Sequence, residues 1–256
     1  MPKRHSDSIE VDVAGATHTG RVRKTNEDSF LTLHLPGSAD ALLAVADGVG
    51  GRKAGDIASE MAVKTLLRAR LMHARQCRDA DSYGLKMREA IQSANHFLFK
   101  LNHQFGNPQF ATGTTLTVLV LMNSGGLVFN VGDSRCYRLR RNRLEALTHD
   151  DTWAQKLADQ KKLSCADVSH HPLSNTLYRC IGSAPSVDTS MKRVNCNPRD
   201  RFLVATDGIW KVLSPDQIQL VLGDSGNAQE AVGHLILAAL REGARDNLAA
   251  CVAFLA

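Results

Sequence analysis

The chain has 256 residues, a formal net charge of +5, 43% hydrophobic residues and 5% aromatic residues. This length suits one large domain or two small ones with a sizeable core, and the composition excludes a disordered chain. No apolar run is long enough to span a bilayer, and the basic start Met1–Asp12 lacks the apolar stretch of a secretory signal, so we expect a cytoplasmic protein without a membrane partner.

Strands and helices alternate in blocks along the first half of the chain. Partial alternation predicts strands over Glu10–Thr17 and Ser29–Leu35, and a short buried run predicts a third over Ala41–Ala46. Helical spacing follows over Ile57–Gln76 and Tyr83–Phe105. The apolar faces of these helices are predicted to carry Ile57, Met61, Leu66, Leu67 and Leu71 in the first, and Leu85, Ile91, Leu98 and Leu101 in the second.

The second half repeats the pattern around a polar interruption. Strands are predicted over Thr114–Met122, Leu127–Val131, Cys136–Leu139, Arg201–Ala205 and Leu248–Leu255, with a turn at Gly125-Gly126. Ser214, Pro215 and Gln217 indicate the start of one helix, and Ala228–Glu242 is a second. Residues 149–186 are polar and irregular and are typical of an insertion or lid. The order of the predicted strands and helices favours an α+β fold built in layers. We treat residues 1–256 as a single domain.

Acidic residues stand where apolar runs begin or end. Several carboxylates at neighbouring strand ends would repel one another unless cations lay between them, and oxygen ligands suit Mg²⁺ or Mn²⁺. A single Asp-Gly is more often a turn than a ligand, so the spaced set is the informative signal. The acidic segments are Asn26-Glu27-Asp28, Asp47-Gly48, Gly132-Asp133-Ser134-Arg135, Thr206-Asp207-Gly208 and Arg245-Asp246-Asn247.

These segments belong to an ordered series of motifs that resembles the metal-dependent protein phosphatases, the protein phosphatase 2C or PPM family, from about Val13 to Phe254. The motifs are GRVRKTNEDSF, VADGVGG, GD-x-A, TGTTL, NVGDSR, NTLYRCIG, ATDGIWKVLSPDQI and RDN. The resemblance implies a four-layer α-β-β-α sandwich: two antiparallel sheets, a metal site at one edge, and helix pairs on the outside. It also implies hydrolysis of phosphoserine and phosphothreonine at a pair of Mn²⁺ or Mg²⁺ ions.

The resemblance also implies roles for individual residues. Asp47 matches the acid that bridges both metals, and the Gly48 carbonyl matches a ligand of the second. Asp207 and Asp246 match the remaining protein ligands of the first metal, although each could instead cap a turn. Glu27 and Asp28 match acids that hold metal-bound waters. Asp133, with Asp207, matches the site of a third, weaker ion in bacterial members, although GDSR also suits a tight hairpin.

Arg23 stands four residues before Glu27, as the phosphate-binding arginine of the family does, and a guanidinium fork suits phosphate oxygens. The implied mechanism is in-line attack by a metal-activated water, with Arg23, Asp47 and Asp207 as its catalytic residues. Val49 stands where many eukaryotic relatives have a histidine that is thought to protonate the leaving group. The sequence therefore names no general acid.

The sequence also bears on four other functional classes. The chain has no G-x-S-x-G hydrolase motif and no complete P-loop. Its basic clusters lack the interleaved aromatic residues of a nucleic-acid binder, so we expect no nucleic-acid partner. A non-catalytic relative acting as a phosphoprotein-binding module is the more serious alternative, and loss of a metal acid would mark it. We expect phosphorylated serine and threonine proteins as substrates, and a Hanks-type kinase as the opposing partner.

Overall fold

The computed structural model describes residues 10–34, 40–50, 54–73, 79–104, 112–123 and 125–256. Within these residues the strands are β1 (Val11–His18), β2 (Asp28–His34), β3 (Ala41–Gly50), β4 (Thr112–Thr114), β5 (Leu116–Met122), β6 (Gly125–Val131), β7 (Arg135–Arg140), β8 (Arg143–Ala146), β9 (Ser190–Val194), β10 (Arg201–Ala205) and β11 (Leu248–Leu255). The helices are α1 (Gly55–His73), α2 (Ala80–Gln104), α3 (Trp153–Asp159), α4 (Asp207–Trp210), α5 (Pro215–Asp224) and α6 (Ala228–Arg241).

The strands form two sheets in which neighbours run antiparallel. The first sheet has the order β1-β11-β10-β7-β8, and the second has the order β2-β3-β5-β6-β9 with β4 paired to β3. The helices α1 and α2 pack on the outer face of the second sheet, and α4, α5 and α6 pack on the outer face of the first. A third apolar cluster fills the space between the two sheets. The predicted four-layer α-β-β-α sandwich is confirmed.

Central strands read as continuous apolar runs because both of their faces are buried. In β3, Leu42 and Ala44 pack toward α1 and α2, whereas Leu43 and Val45 pack toward the other sheet. Strand β11 alternates in the same way: Val252 packs beneath the helices of the first sheet, and neighbouring side chains face the opposite sheet. A run without polar alternation therefore marks the middle of this sandwich.

The structure corrects several details of the predicted elements. Ile57, Leu71 and Leu85 were predicted on apolar helix faces, but they are 46%, 60% and 58% exposed, because the buried faces also use small alanines that the spacing of large residues ignores. Gly125-Gly126 lies within β6 and pairs with β5 rather than forming the turn. Sequence patterns missed β8, β9 and α4. The predicted end residues Leu35, Gln76 and Phe105 lie outside the described residues.

One predicted helix start is confirmed in full. The Ser214 hydroxyl accepts a hydrogen bond from the Gln217 N–H, and the Gln217 side chain accepts one from the Ser214 N–H, with Pro215 at the first helical position. This reciprocal cap stabilises the first turn of α5. No helix among the described residues is both long and apolar enough to cross a membrane.

Residues 149–186 contain α3, a short 3-10 turn at Val168–His170, and extended chain between them. Two isolated bridges tie the segment down, Thr152 to Leu177 and Thr114 to Ile181. The buried Asp151 accepts hydrogen bonds from the Tyr178 hydroxyl at 3.0 Å and from the Arg179 guanidinium. The ends of the segment 149–186 are thus fastened beside the sheets, whereas its middle lies on the surface.

Candidate metal centre

Three of the predicted site acids meet at one edge of the first sheet. Because adjacent strands run antiparallel, the end of β10 lies beside the starts of β7 and β11: Ala205 pairs with both Arg135 and Ala250. Asp207 follows β10, Asp133 precedes β7 and Asp246 precedes β11. Residues far apart in the chain therefore converge because strand direction alternates in the sheet.

The remaining acids come from the same edge of the second sheet. Asp28 begins β2, and its register partner in β3 is Asp47. The Thr206 hydroxyl, from the chain that follows β10, donates a 2.7 Å hydrogen bond to Asp28 Oδ2. This buried bond joins the two sheet edges directly. The structure thus brings together the carboxylates that the sequence placed at separate strand ends.

A cleft of about 610 Å³ opens at this junction. Of the predicted site residues, only Asp28 does not line the cleft; it lies behind it, 6% exposed, against Asp47. Val49 also lines the cleft, so the position that lacks the family histidine presents an apolar side chain. The predicted residues that line the cleft are Arg23, Glu27, Asp47, Gly48, Asp133, Asp207 and Asp246.

Gly48 is required by a close backbone approach. A Cβ atom at this position would lie 2.2 Å from the carbonyl oxygen of Gly55, at the start of α1. The Gly48 N–H also donates to the Glu27 carbonyl oxygen at 3.0 Å. These contacts bring the backbone after Asp47 against both the β1–β2 loop and α1. Only glycine lets the three segments meet at this point.

Asn247 fastens the β1–β2 loop, which carries Arg23 and Glu27, to the first sheet. Its side-chain nitrogen donates to the carbonyl oxygens of Thr19 and Thr25, both at 2.9 Å. Its side-chain oxygen accepts from the Glu27 N–H at 2.9 Å. Asn247 is 4% exposed, so these bonds are shielded from water. One buried amide therefore makes three of the bonds that hold the loop beside Asp246.

Two cations pair with the site acids. Arg23 Nη2 donates to Asp246 Oδ2 at 2.8 Å, and both side chains are roughly half exposed, at 51% and 42%. Lys211 Nζ donates to Asp207 Oδ2 at 2.6 Å and to Asp133 Oδ2 at 3.4 Å. Sequence patterns assigned no role to Lys211. It is the residue after α4, one helical turn beyond Asp207.

Burial and mutual repulsion disfavour the ionised forms of the inner carboxylates. Burial, with the nearby charges of Asp207 and Asp246, raises the pKa of Asp28 to about 8. Burial and then the charges of Asp28 and Asp207 hold the pKa of Asp47 well above its usual range. Burial raises the pKa of Asp133 to about 6. The protein's own groups therefore leave a deficit of positive charge at this place.

This donor set fits hard divalent cations. Its members are carboxylate oxygens and a backbone carbonyl, which Mg²⁺ and Mn²⁺ prefer. Within the described residues, no three acidic, histidine or cysteine side chains are spaced to enclose one ion. The carboxylates expected on the first ion, those of Asp47, Asp207 and Asp246, therefore line one cleft without being drawn around a single point.

Comparison with known proteins assigns the family. The family model described as Protein phosphatase 2C matches residues 14–250. The chain belongs to the protein phosphatase 2C family. Among its curated relatives is the serine/threonine phosphatase stp of Listeria welshimeri, which is 30% identical over 232 residues and 91% of each chain.

Solved structures superimpose on nearly the whole chain. PppA, described as a key regulatory component of T6SS in Pseudomonas aeruginosa, is 30% identical with a TM-score of 0.83. The superposition covers 98% of this chain and 100% of PppA. The catalytic domain of the serine/threonine protein phosphatase PstP, in complex with two manganese ions, is 28% identical with a TM-score of 0.79, covering 97% and 99%.

Three supporting residues were missed by sequence reasoning. Thr206 links Asp28 to the first sheet, Asn247 holds the β1–β2 loop, and Lys211 pairs with Asp207 and Asp133. All lie inside or beside motifs that were noted for their acids. A lysine four residues after an aspartate is a recognisable helical pair, so Lys211 carried a local signal. Thr206 and Asn247 act on distant segments and carried none.

Proposed function

We propose that this member of the protein phosphatase 2C family is a Mn²⁺- or Mg²⁺-dependent enzyme that hydrolyses phosphoserine and phosphothreonine in proteins. The observation that carries the proposal is the convergence of Asp28 and Asp47 from one sheet with Asp133, Asp207 and Asp246 from the other, at a cleft that also contains Arg23. Family relatives that are serine/threonine phosphatases support the same substrate class.

Each residue of the centre has a role in this proposal. Asp47 would be shared by the two ions, the Gly48 carbonyl would serve the second, and Asp207 and Asp246 would complete the ligands of the first. Glu27 and Asp28 would hold metal-bound waters, and Glu27 would serve the ion at Gly48, because the Glu27 carbonyl accepts from the Gly48 N–H. When bound, such an ion pair supplies an activated water and offsets charge on the phosphoryl oxygens.

Arg23 is proposed to bind the substrate phosphate. Its side chain is 51% exposed at the cleft, so an entering phosphate can reach the guanidinium without a change in the fold. The hydrogen bond to Asp246, followed by the charges of Asp246, Glu27 and Asp47, raises the pKa of Arg23, which keeps it charged. The planar guanidinium can then donate two parallel hydrogen bonds to phosphate oxygens.

Residues 149–186 are proposed to form a lid that influences substrate choice, as part of a single domain that spans residues 1–256. Asn175 and Leu177 from this segment line the cleft beside the acids. Surface segments held on a rigid scaffold commonly determine specificity. The middle of the lid would then contact residues that flank the phosphorylated side chain.

The proposed biological setting is reversal of a Hanks-type serine/threonine kinase in a bacterial cytoplasm. Its support is that the curated relatives are bacterial serine/threonine phosphatases. The alternative of a non-catalytic phosphoprotein-binding module is not favoured, because every acid and the arginine expected of the centre are present in the sequence.

The direct test is phosphate release from a phosphothreonine peptide with Mn²⁺, with excess EDTA, and in the variant Asp207→Asn. We expect EDTA to abolish release and the variant to lower kcat/KM by more than about a hundredfold, the upper loss for residues that only support metal ligands. Asp216→Asn, an exposed acid in the first turn of α5, is the matched control and should keep full activity.

Two results would contradict the proposal. Phosphate release that survives both chelation and the Asp207→Asn substitution would remove the metal mechanism. Wild-type protein that binds phosphopeptides in the presence of Mn²⁺ but releases no phosphate would instead indicate the binding module.

A further inference from the structure

Lys211 lies where the resemblance predicted a third metal ion. Its ammonium nitrogen is 2.6 Å from Asp207 Oδ2 and 3.4 Å from Asp133 Oδ2, and those two carboxylates are the ligands expected for that ion. A Mg²⁺ ion bound to the same oxygens would lie at about 2.0–2.1 Å from them. The ammonium and the ion therefore compete for the same small space.

The backbone holds Lys211 in this position. The Lys211 N–H donates to the Asp207 carbonyl at 2.9 Å, so the residue completes the helical turn that Asp207 begins. Side chains four residues apart on such a turn lie on one face. The Lys211 side chain is 30% exposed, whereas the side chain of Asp133 is only 6% exposed. The lysine thus reaches inward from the cleft wall to a buried acid.

We propose that the Lys211 ammonium is a built-in counterion for Asp133 and Asp207 and takes the place of a third metal ion in this protein. This inference rests on the proposed two-ion function of the centre. It makes Lys211 a positioning residue: its hydrogen bond occupies Oδ2 of Asp207 and orients the carboxylate that binds the first ion.

The charges of the centre agree with this proposal. Its six carboxylates are matched in full by two divalent ions together with Lys211 and Arg23; the carboxylates are Glu27, Asp28, Asp47, Asp133, Asp207 and Asp246. Arg245 at the cleft adds one positive charge for the incoming phosphate. A third divalent ion would give the centre an excess of positive charge next to an ammonium.

The test is the number of Mn²⁺ ions bound per chain, followed by the electron paramagnetic resonance signal of free Mn²⁺ during titration. The wild type should bind two ions. Lys211→Met removes the charge and keeps the length of the side chain, and it should bind a third, weaker ion. Adding Asp133→Asn to that variant removes one expected ligand and should return the number to two. Lys192→Met, which changes an exposed surface lysine, is the control and should bind two.

The outcomes separate this inference from the proposed function. Three ions in the wild type, or two in Lys211→Met, would overturn the counterion role of Lys211. Fewer than two ions in the wild type would contradict the two-ion centre itself. Near-ultraviolet circular dichroism of each variant establishes that it is folded, and Lys211→Gln replaces Lys211→Met if the latter does not fold.

Thermal unfolding of the metal-free protein supplies a second readout. Loss of the ammonium leaves Asp133 buried without its cation, so Lys211→Met should lower Tm by about 2–6 °C. Asp133→Asn in the same chain should restore most of that loss, because the unpaired charge is then absent. Equal Tm values for the wild type and Lys211→Met would show that the ammonium does not compensate these acids and would overturn the proposal.

Discussion

The metal centre has two sides that are built differently. On one side, Asp28 and Asp47 lie opposite each other on paired strands; the Asp28 side chain is buried against Thr206, and the Asp47 N–H donates to the Thr115 hydroxyl. On the other side, Arg23 and Asp246 lie on loops and are half exposed. Strand pairing fixes the first pair, whereas the loop pair is held by hydrogen bonds from the loop to the first sheet and α6, three of which involve the Asn247 side chain.

The two sides therefore serve different purposes: one fixes the positions of the ions, and the other gives the substrate access to the centre. Carboxylates that set the place of an ion gain from a rigid strand and a dry surrounding, at the cost of repulsion when no ion is present. A guanidinium that must receive a substrate gains from exposure. The strand pair should therefore govern metal-free stability and, together with Asp246, metal binding, whereas Arg23 should govern the affinity for phosphate.

The largest expected effect is that of Asp47→Asn. Because both ions lose their shared ligand, kcat/KM for a phosphothreonine peptide should fall by more than about a thousandfold. The metal-free protein should nevertheless become more stable, since a carboxylate disfavoured by desolvation and by neighbouring charges is replaced by a neutral amide. Asp246→Asn, on the loop side, should give no such stabilisation in urea unfolding. Equal stability changes for the two variants would contradict the difference between the strand side and the loop side.

The next largest effect is expected from Asn247→Ala, which should disturb only the loop side of the centre. It removes three buried hydrogen bonds at about 1 kcal/mol each, so the free energy of unfolding should fall by about 3 kcal/mol. Because the β1–β2 loop then moves, KM for the phosphopeptide should rise, while Mn²⁺ affinity changes less than in Asp47→Asn. Asn195→Ala, with an exposed side chain, is the control in urea unfolding and calorimetry. Loss of Mn²⁺ binding as severe as in Asp47→Asn would contradict the separation of the two sides.

Arg23→Lys is a smaller change that tests how the loop side binds the substrate phosphate. The ammonium keeps the charge but cannot form a bidentate contact, so KM should rise by about tenfold while kcat and Mn²⁺ affinity change little. Arg21→Lys is the control, because Arg21 Nε donates to the Leu240 carbonyl rather than facing the cleft. Steady-state kinetics with the phosphopeptide provides the measurement, and an unchanged KM would show that Arg23 does not bind the phosphate.

The last effect, which does not involve catalysis, is a pH dependence of the stability of the metal-free protein. The pKa of Asp28 is raised to about 8 by burial, so the unfolded chain releases this proton near its ordinary pKa while the folded chain retains it. Stability from this group is therefore present at low pH and lost as the pH rises toward 8, by at most about 1.4 kcal/mol per pH unit. Asp28→Asn should lack this component in EDTA-treated samples. Parallel pH profiles for the two proteins would contradict it.

Local patterns predicted much of the fold. Continuous apolar runs identified the central strands, and Ser214 to Gln217 identified the start of α5, because these signals lie within a few neighbouring residues. The weak edge strands β8 and β9 carried no apolar run, and their strand form depends on neighbours in the sheets. The exposed positions of Ile57 and Leu85 likewise depend on which helix face meets the sheet.

The sequence by itself determined which acids stand at strand ends, and it predicted the family, the sandwich and a divalent-metal centre from their order. Only the tertiary structure decided that Thr206 joins the two sheet edges, that Asn247 holds the β1–β2 loop, and that Lys211 reaches Asp133. Those contacts join residues 78 to 228 positions apart in the chain. Spacing along a strand or helix reports only neighbours within a few residues, whereas these contacts exist because two sheets stack with their acidic edges together.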